Sequence, residues 1–197
     1  MGLDMYLYEE KYISRHKSLA ESYDTYRTEF EIASQILNLA GLRAEVDGGV
    51  TVQATVMYWR KANQIHNWFV TNVDERAQEE RTYVSREQLI ELRDTCQEVL
   101  DKTELEPGRI HAGTSWSGGD RVERFEDGMV IANPEVAESL LPTTSGFFFG
   151  STDYNEWYLK DLQATIEGIN LALANQAIKV IDGKEYHSTE FYYYASW

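Results

Sequence analysis

Hydrophobic and polar residues alternate at both ends of the chain. Leu3, Met5 and Leu7 alternate with Asp4 and tyrosines near the start, and the closing "EFYYYASW" is equally rich in β-forming residues. A period of two is typical of a strand with one buried face. A third β-rich run, "VTVQATVMY", follows a turn at residues 47–49. The pattern therefore predicts strands at both chain ends and one strand between them.

Between these strands, apolar residues recur at spacings of three and four, which indicates amphipathic helices. The first predicted helix covers residues 18–39 and ends at Gly41, and the second covers residues 58–70, "YWRKANQIHNWFV". A third begins at Ser85, which has capping-box spacing to Gln88. A short helix, "PEVAESLL", follows Asn133. The predicted buried stripe of the third helix is Leu89, Leu92, Cys96 and Val99.

The stretch "SGFFFGSTDYNEWY" places three phenylalanines between two glycines, ahead of a helix. Phe147 to Phe149 predict a short buried strand or an extended segment. Asp153 and Glu156 have the spacing of a helix N-cap and its third residue. The stripe of this last helix is predicted to be Tyr158, Leu162, Thr165, Ile169 and Ala172. Residues 103–128 are rich in glycine and charge and predict loops or a weak hairpin.

Two end strands with helices between them favour an α+β fold. We predict a single domain, residues 1–197, in which a mostly antiparallel sheet includes both chain-end strands. Three to four helices are expected to cover one face of that sheet, since each element must bury one apolar face. Strict alternation of strand and helix is missing, which disfavours a doubly wound parallel sheet.

Charge and composition narrow the partners. The chain carries 33 acidic against 18 basic residues, a net charge of −15, and no segment is basic. Direct nucleic-acid binding is therefore disfavoured, because phosphate contacts need a basic face. No apolar run approaches the roughly 20 residues of a membrane helix, and no signal peptide is recognisable at the start. With a single cysteine, the sequence predicts a cytoplasmic protein with no membrane association; homo-oligomerisation is left open.

Catalytic motifs are scarce. His16, His66, His111 and His187 are scattered, and no zinc, calcium, P-loop, dinucleotide or nucleophile-elbow pattern is present. The sequence therefore predicts no cofactor and no metal. Cys96 is interpreted as a core residue, since nothing nearby would activate its thiol.

Two segments combine aromatic and polar residues in a way that suits ligand binding. An arginine, amides and aromatic rings can together recognise a phosphate, a sugar and a base. Gly146 and Gly150 permit close approach of the backbone, and the hydroxyls after them are expected at a helix N-terminus that favours anions. The alternative is that the aromatic residues fill the core while the polar residues cap helices. The candidate ligand-binding residues are Trp59, Arg60, Asn63, His66, Asn67, Ser151, Thr152, Tyr154 and Trp157.

Five motifs give the chain a resemblance to a family of uncharacterised proteins from phages, prophages and mobile bacterial elements. They are "MGLDMYL", "YWRKANQIHNWFV", "YVSREQLIEL", "LLPTTSGFFFGSTDYNEWY" and "YYYASW", which together cover about half of the chain. The departures lie in residues 14–50 and 103–130. The resemblance implies a viral or mobile-element origin and one compact domain, and it carries no catalytic residues to transfer.

Three functional hypotheses follow. The first is a phage-type binding protein in the host cytoplasm that sequesters a small anionic ligand, such as a nucleotide-derived immune signal, with Arg60 on phosphate. The second is an acidic inhibitor that binds a host nucleic-acid enzyme. The third is a small hydrolase that uses His66 with a nearby carboxylate such as Asp153 or Glu156. The first requires that the two aromatic segments meet in one pocket.

Overall fold

Four antiparallel strands form the central sheet of the structure. The structure is a computed structural model, and it describes residues 2–14, 23–36, 49–118, 120–176, 178–181 and 183–197. The strand order in this sheet is β2-β1-β8-β3. Two hairpins, β4-β5 and β6-β7, lie outside it. The strands are β1 (Asp4–Ser14), β2 (Gly49–Arg60), β3 (Thr82–Val84), β4 (Leu105–Ser117), β5 (Asp120–Ile131), β6 (Ile178–Ile181), β7 (Lys184–His187) and β8 (Glu190–Ser196). The helices are α1 (Tyr23–Ile36), α2 (Asn63–Asn72), α3 (Arg86–Lys102), α4 (Glu135–Leu140) and α5 (Glu156–Asn175), with a 3-10 helix at Glu75–Gln78.

The two chain-end strands, which the sequence places in one sheet, lie side by side. Asp4 of β1 is opposite Ser196 of β8, and the pairing runs antiparallel to Glu10 opposite Glu190. β8 is an inner strand, because β3 pairs with its other edge. The α+β class and the antiparallel sheet that includes both chain ends are thus confirmed.

One face of the sheet forms the core. Leu3, Met5 and Leu7 are fully buried while the residues between them are partly exposed, which confirms the alternation read from the sequence. The opposite side of this core comes from the helices. The buried stripes predicted for α3 and α5 are all found buried, namely Leu89, Leu92, Cys96 and Val99, and Tyr158, Leu162, Thr165, Ile169 and Ala172.

Helix boundaries follow local signals at α3. Ser85 accepts a hydrogen bond from the amide of Gln88, and the Gln88 side chain accepts one from the amide of Ser85, so the predicted capping box is present. α1 lies inside the predicted helix 18–39, whose ends and Gly41 lie outside the described residues, as do residues 47 and 48 of the predicted turn.

The helix predicted for residues 58–70 is wrong in its first part. β2 continues to Arg60, with Tyr58 opposite Tyr6 and Arg60 opposite Asp4, and α2 begins only at Asn63. Pairing with β1 therefore overrides the helical spacing of the apolar residues. As a result, Trp59 and Arg60 do not share a helix face with Asn63 and His66.

The buried strand predicted for Phe147 to Phe149 is also wrong. These residues form a tight turn, in which the amide of Phe149 donates to the carbonyl of Gly146 (3.2 Å). Only Phe149 is buried, whereas Phe147 is 93% exposed. A turn projects successive side chains in different directions, so the apolar run does not report burial of all three rings.

Residues 103–128, predicted as loops or a weak hairpin, form most of a long regular ribbon. β4 and β5 pair from Leu105 opposite Ile131 to Ser117 opposite Asp120, with a bulge between His111 and Gly113. The hairpin β6-β7 was not predicted. Among the described residues, no helix is both long and apolar enough to cross a membrane.

Candidate functional site

A groove opens where the end of β2, the segment before α5 and the β4-β5 ribbon meet. One part of it has a volume of about 330 Å³, and an adjoining part has a volume of about 650 Å³. These volumes lie in the range of small-molecule sites. Both parts are lined by Lys61, His111, Gly150, Ser151 and Asp153.

The corner of the groove is built from backbone in an unusual conformation. Lys61 has a φ of 61°, in the left-handed region that a residue with a Cβ normally avoids. Gly150 has a φ of 93°, and a Cβ added there would lie 2.9 Å from the Cβ of Lys61. Close packing thus requires glycine at position 150. Strain of this kind often accompanies functional sites.

Several motifs that carry the resemblance meet at this corner. The amide of Leu3 donates to the carbonyl of Phe148 (3.0 Å), and the amide of Lys61 donates to the carbonyl of Leu3 (2.8 Å). The buried side chain of Asn63 donates to the carbonyls of Phe149 (3.1 Å) and Ser151 (2.8 Å). These bonds tie the chain start, the β2-α2 junction and the "GFFFG" turn into one unit.

Asp161 is an acidic residue in the groove lining, and it contacts Gln64. The Gln64 amide, which is buried, donates to Asp161 Oδ2 (3.2 Å). Burial raises the pKa of Asp161 to about 6, and the bond from Gln64 opposes that rise. A carboxyl group of this kind, at the wall of a cleft, is suited to bind a hydrogen-bond donor of a ligand.

The lining of the groove also contains two cationic side chains, Arg60 and Lys61. The Arg60 side chain is 61% exposed and its nearest carboxylate, Asp4, is 4.0 Å away. Asp4 also accepts a hydrogen bond from the Tyr58 hydroxyl. Lys61 lies beside Arg60 and is exposed. Within the described residues, Arg60 makes only this 4.0 Å ion pair and Lys61 makes none, so both cations can receive an anionic group.

Trp157 supplies an aromatic wall. Its ring is 57% exposed, although tryptophan is usually highly buried. Lys160 Nζ lies 3.9 Å from the ring centroid and 2.8 Å from Glu156 Oε2, so a cation already stacks on the ring. The exposed part of such a ring can stack on a planar ligand group.

Four of the predicted ligand-binding residues line the groove: Arg60, Ser151, Thr152 and Trp157. The remaining predicted residues have other partners. Trp59 is buried, and its indole donates to Thr165 Oγ1 (2.8 Å). The Asn67 side chain donates to the carbonyl of Pro142 (3.4 Å), and the Tyr154 hydroxyl accepts from the amide of Thr143 (3.1 Å).

His66 is 1% exposed and lies in the core. Its Nδ1 is 2.8 Å from the Tyr193 hydroxyl, and its ring packs edge-to-face against Phe149 and Trp197. Burial lowers the pKa of His66, so the neutral ring is favoured. His66 does not line the groove, whereas Asp153 does. The geometry therefore gives no support to a hydrolase that uses His66 with Asp153.

The start of α5 also differs from the prediction. Asn155, and not Asp153, is the N-cap, and its side chain accepts from the amides of Trp157 (2.9 Å) and Tyr158 (3.3 Å). Glu156 is the first helical residue. Ser151 and Thr152 therefore precede the helix by several residues, and the amides that would bind an anion are already occupied.

The groove residues that sequence reasoning missed include Lys61, Gln64, His111 and Asp161. Gln64 and Asp161 are far apart in the sequence and give no local signal of their contact. His111 lies beside the bulge in β4, and bulges commonly redirect side chains near functional sites. Within the described residues, no group of three or more His, Cys, Asp or Glu could hold a metal ion.

Comparison of the chain with protein-family models, curated proteins and solved structures finds no match. Function therefore has to be argued from the groove itself.

Proposed function

We propose that the protein binds a nucleotide-like small molecule in this groove. The observation that carries the proposal is that Arg60 and Trp157, nearly a hundred residues apart in the chain, line one concave surface. The ligand-binding hypothesis requires that residues of "YWRKANQIHNWFV" and of "SGFFFGSTDYNEWY" meet in one pocket, and the shared lining by Arg60 and Trp157 supports it. The third component is Asp161 with Gln64, which the sequence did not indicate.

The charges in the groove lining favour a ligand that carries both an anionic group and a hydrogen-bond donor. Arg60 and Lys61 suit a phosphate, whereas Asp161 suits an amino or hydroxyl donor such as those of a base or ribose. A ligand that is anionic throughout would face Asp153 and Asp161 as well as the two cations. Stacking on Trp157 then favours a planar base over an aliphatic group.

A binding role is favoured over catalysis because, among the described residues that line the groove, no hydroxyl group is hydrogen-bonded to His111 or to a carboxylate. Together with the resemblance to phage and mobile-element proteins, this supports sequestration of a nucleotide-derived immune signal in the host cytoplasm. In that role, binding energy serves retention of the ligand, so an unreactive site is sufficient.

The test is native mass spectrometry of protein purified from cells, followed by thermal unfolding with mono-, di- and cyclic nucleotides. A ligand at a hundredfold excess over its Kd should raise the free energy of unfolding by about 2.7 kcal/mol. For a chain of this size we expect a Tm increase of roughly 5–10 °C. The bound compound should be recovered with unchanged mass; a changed mass would indicate an enzyme.

Matched variants locate the site. Arg60→Ala and Trp157→Ala should each weaken binding by roughly tenfold or more, since each removes a phosphate contact or a stacking surface. Asn67→Ala is the control, because Asn67 lies on α2 but outside the groove. Absence of a shift across the panel, or an equal effect of all three variants, would overturn the proposal.

A further inference from the structure

Tyrosine side chains cover much of the face of the main sheet that lies opposite the core. Cross-strand pairing sets them in a ladder, with Tyr6 opposite both Tyr58 and Tyr194, and Tyr192 opposite both Tyr8 and Tyr83. The Tyr6 ring stacks on Tyr8 at 5.8 Å and on Tyr194 at 6.5 Å between centroids. We name these residues the tyrosine face: Tyr6, Tyr8, Tyr58, Tyr83, Tyr192 and Tyr194.

This face is accessible in the described part of the chain. Tyr58 and Tyr83 are about half exposed, and the other four rings are partly exposed. The described helices pack on the opposite side, where even α1 contacts the sheet through Ile13, Val50 and the Lys11–Glu29 ion pair. A contiguous aromatic patch of this kind usually marks an interaction surface.

One arginine of the chain itself, Arg81, already packs on this face. The guanidinium carbon of Arg81 lies 3.9 Å from the centroid of the Tyr192 ring. The same guanidinium group pairs with Glu10, with 2.5 Å between Nη2 and Oε2. Arg81 therefore stacks on a tyrosine and pairs with a carboxylate at once, which is the arrangement that an incoming arginine would need.

We infer that the tyrosine face binds an arginine-rich segment of a basic protein partner. Asp4, Glu10 and Glu190 lie on this face with the arginines Arg60 and Arg81, so carboxylates outnumber cations there, and the chain as a whole carries a net charge of −15. That field attracts a basic segment at long range, and the tyrosine rings then favour arginine over lysine. The same charge repels a second copy of the chain and the phosphates of a nucleic acid.

The experiment measures fluorescence anisotropy of labelled peptides with the full chain at low and physiological salt. The probes are a 16-residue peptide of alternating Arg and Gly and the matching peptide of Lys and Gly. We expect the arginine peptide to bind about five- to tenfold more tightly, in line with the stacking energy of guanidinium on aromatic rings. Equal binding of the two peptides would overturn the inference, because charge alone would then explain it.

Loss of the rings tests the location. Tyr83→Thr combined with Tyr194→Thr keeps β-branched residues in the strands and removes two rings from the face, and the arginine preference should fall to less than about twofold. Tyr186→Thr is the control, because Tyr186 is about half exposed on β7, outside the main sheet. A preference that survives in the double variant would contradict the inference.

A gain of binding provides a test that misfolding cannot imitate. Arg81→Ser vacates the stack on Tyr192 and frees Glu10, so the arginine peptide should bind several-fold more tightly than to the unaltered chain. Lys102→Ser changes the net charge equally at the end of α3 and should alter binding by less than about twofold, as expected of a remote charge at physiological salt. Unchanged or weaker binding in Arg81→Ser would overturn the inference.

The same protein variants and peptides also test two other partners for this face, a second copy of the chain and a single-stranded nucleic acid. Sedimentation should show the same oligomeric state for the unaltered chain and for the double tyrosine variant. A single-stranded oligonucleotide should not compete with the arginine peptide. Either self-association through the face or competition by the oligonucleotide would assign the surface to a different partner and overturn the inference.

Discussion

At the scale of single residues, Asp161 and Lys61 are held in states that a folded chain normally avoids. Asp161 has an ionisable carboxyl group in a largely buried position, and Lys61 has a left-handed backbone. Both line the groove. Each state lowers stability, so replacement of either residue should show that cost directly.

For Asp161 the cost depends on pH. Its pKa of about 6 in the folded protein exceeds the ordinary value of 3.8, so the folded state binds the proton more tightly. The carboxyl group therefore costs stability increasingly as the pH rises from about 4 to 6, and the cost is complete above that window. We expect Asp161→Asn to raise the free energy of unfolding by on the order of 2 kcal/mol near neutral pH and to change it little near pH 4. Urea unfolding of the ligand-free protein across this range measures the effect.

The control for Asp161 is Asp153→Asn, which removes an exposed carboxylate from the same groove. Because Asp153 is exposed, this replacement should change the free energy of unfolding by less than about 0.5 kcal/mol at neutral pH. If Asp161→Asn had the same pH profile as the unaltered chain, burial of this carboxyl group would have no energetic consequence and the prediction would fail.

For Lys61 the cost lies in the backbone. Lys61→Gly and Lys61→Ala remove the same charge, but only glycine adopts a φ of 61° without a steric penalty. We expect the glycine variant to be more stable than the alanine variant by about 1 kcal/mol. Chemical unfolding compares the two, and an alanine variant as stable as the glycine variant would contradict a strained Lys61.

At the scale of elements, the "GFFFG" segment shows how a turn differs from the strand that its composition suggests. Phe149 packs against His66 and Trp197, whereas Phe147 is almost fully exposed. Phe149→Ala should therefore cost about 3 kcal/mol of stability. Phe147→Ala should cost less than about 0.5 kcal/mol. Equal costs, measured by chemical unfolding, would instead favour a buried strand.

The start of α5 offers a similar comparison. Asn155 accepts hydrogen bonds from the first amides of the helix, while Asp153 lies outside it. Asn155→Ala should cost about 1 kcal/mol, and Asp153→Ala should cost at most a few tenths. Thermal unfolding of both variants measures this. The reverse order of stabilities would place the cap at the residue that spacing alone suggested.

At the scale of the whole molecule, the ends of the chain meet in the middle of the sheet. Asp4 lies opposite Ser196, so the start of the first strand is adjacent to the end of the last strand, and β8 is an inner strand. We expect a circular permutant with a short Gly-Ser linker between the termini, opened in the turn between β4 and β5, to fold with a Tm close to that of the unaltered chain. Circular dichroism and thermal unfolding test this.

The matching negative variant is a chain shortened to end before β8. It removes the partner of both β1 and β3, together with Phe191 and Tyr193 from the core. We expect it to remain unfolded, because two strands would lose their hydrogen-bonded neighbour at once. A folded truncation would contradict the central position of β8.

The features that the sequence predicts correctly are those that depend on interactions between residues close together in the chain. The alternation of Leu3, Met5 and Leu7 reports one buried strand face, and the spacing of Ser85 and Gln88 reports a capping box, because both depend on near neighbours in the chain. The helical stripes of α3 and α5 are predictable for the same reason. The α+β class follows from the order of these elements.

Tertiary structure decided the rest. Pairing with β1 extends β2 through Trp59 and Arg60, which separates Arg60 from the helix face on which spacing had placed it. The contact of Gln64 with Asp161 joins positions 97 residues apart, and the pKa of Asp161 depends on burial that no neighbouring residue encodes. The sequence by itself determined the two end strands, the helices α3 and α5 and the faces that these elements bury. Only the packed structure determined which side chains share the groove and which tyrosines share the open face, because both depend on long-range pairing.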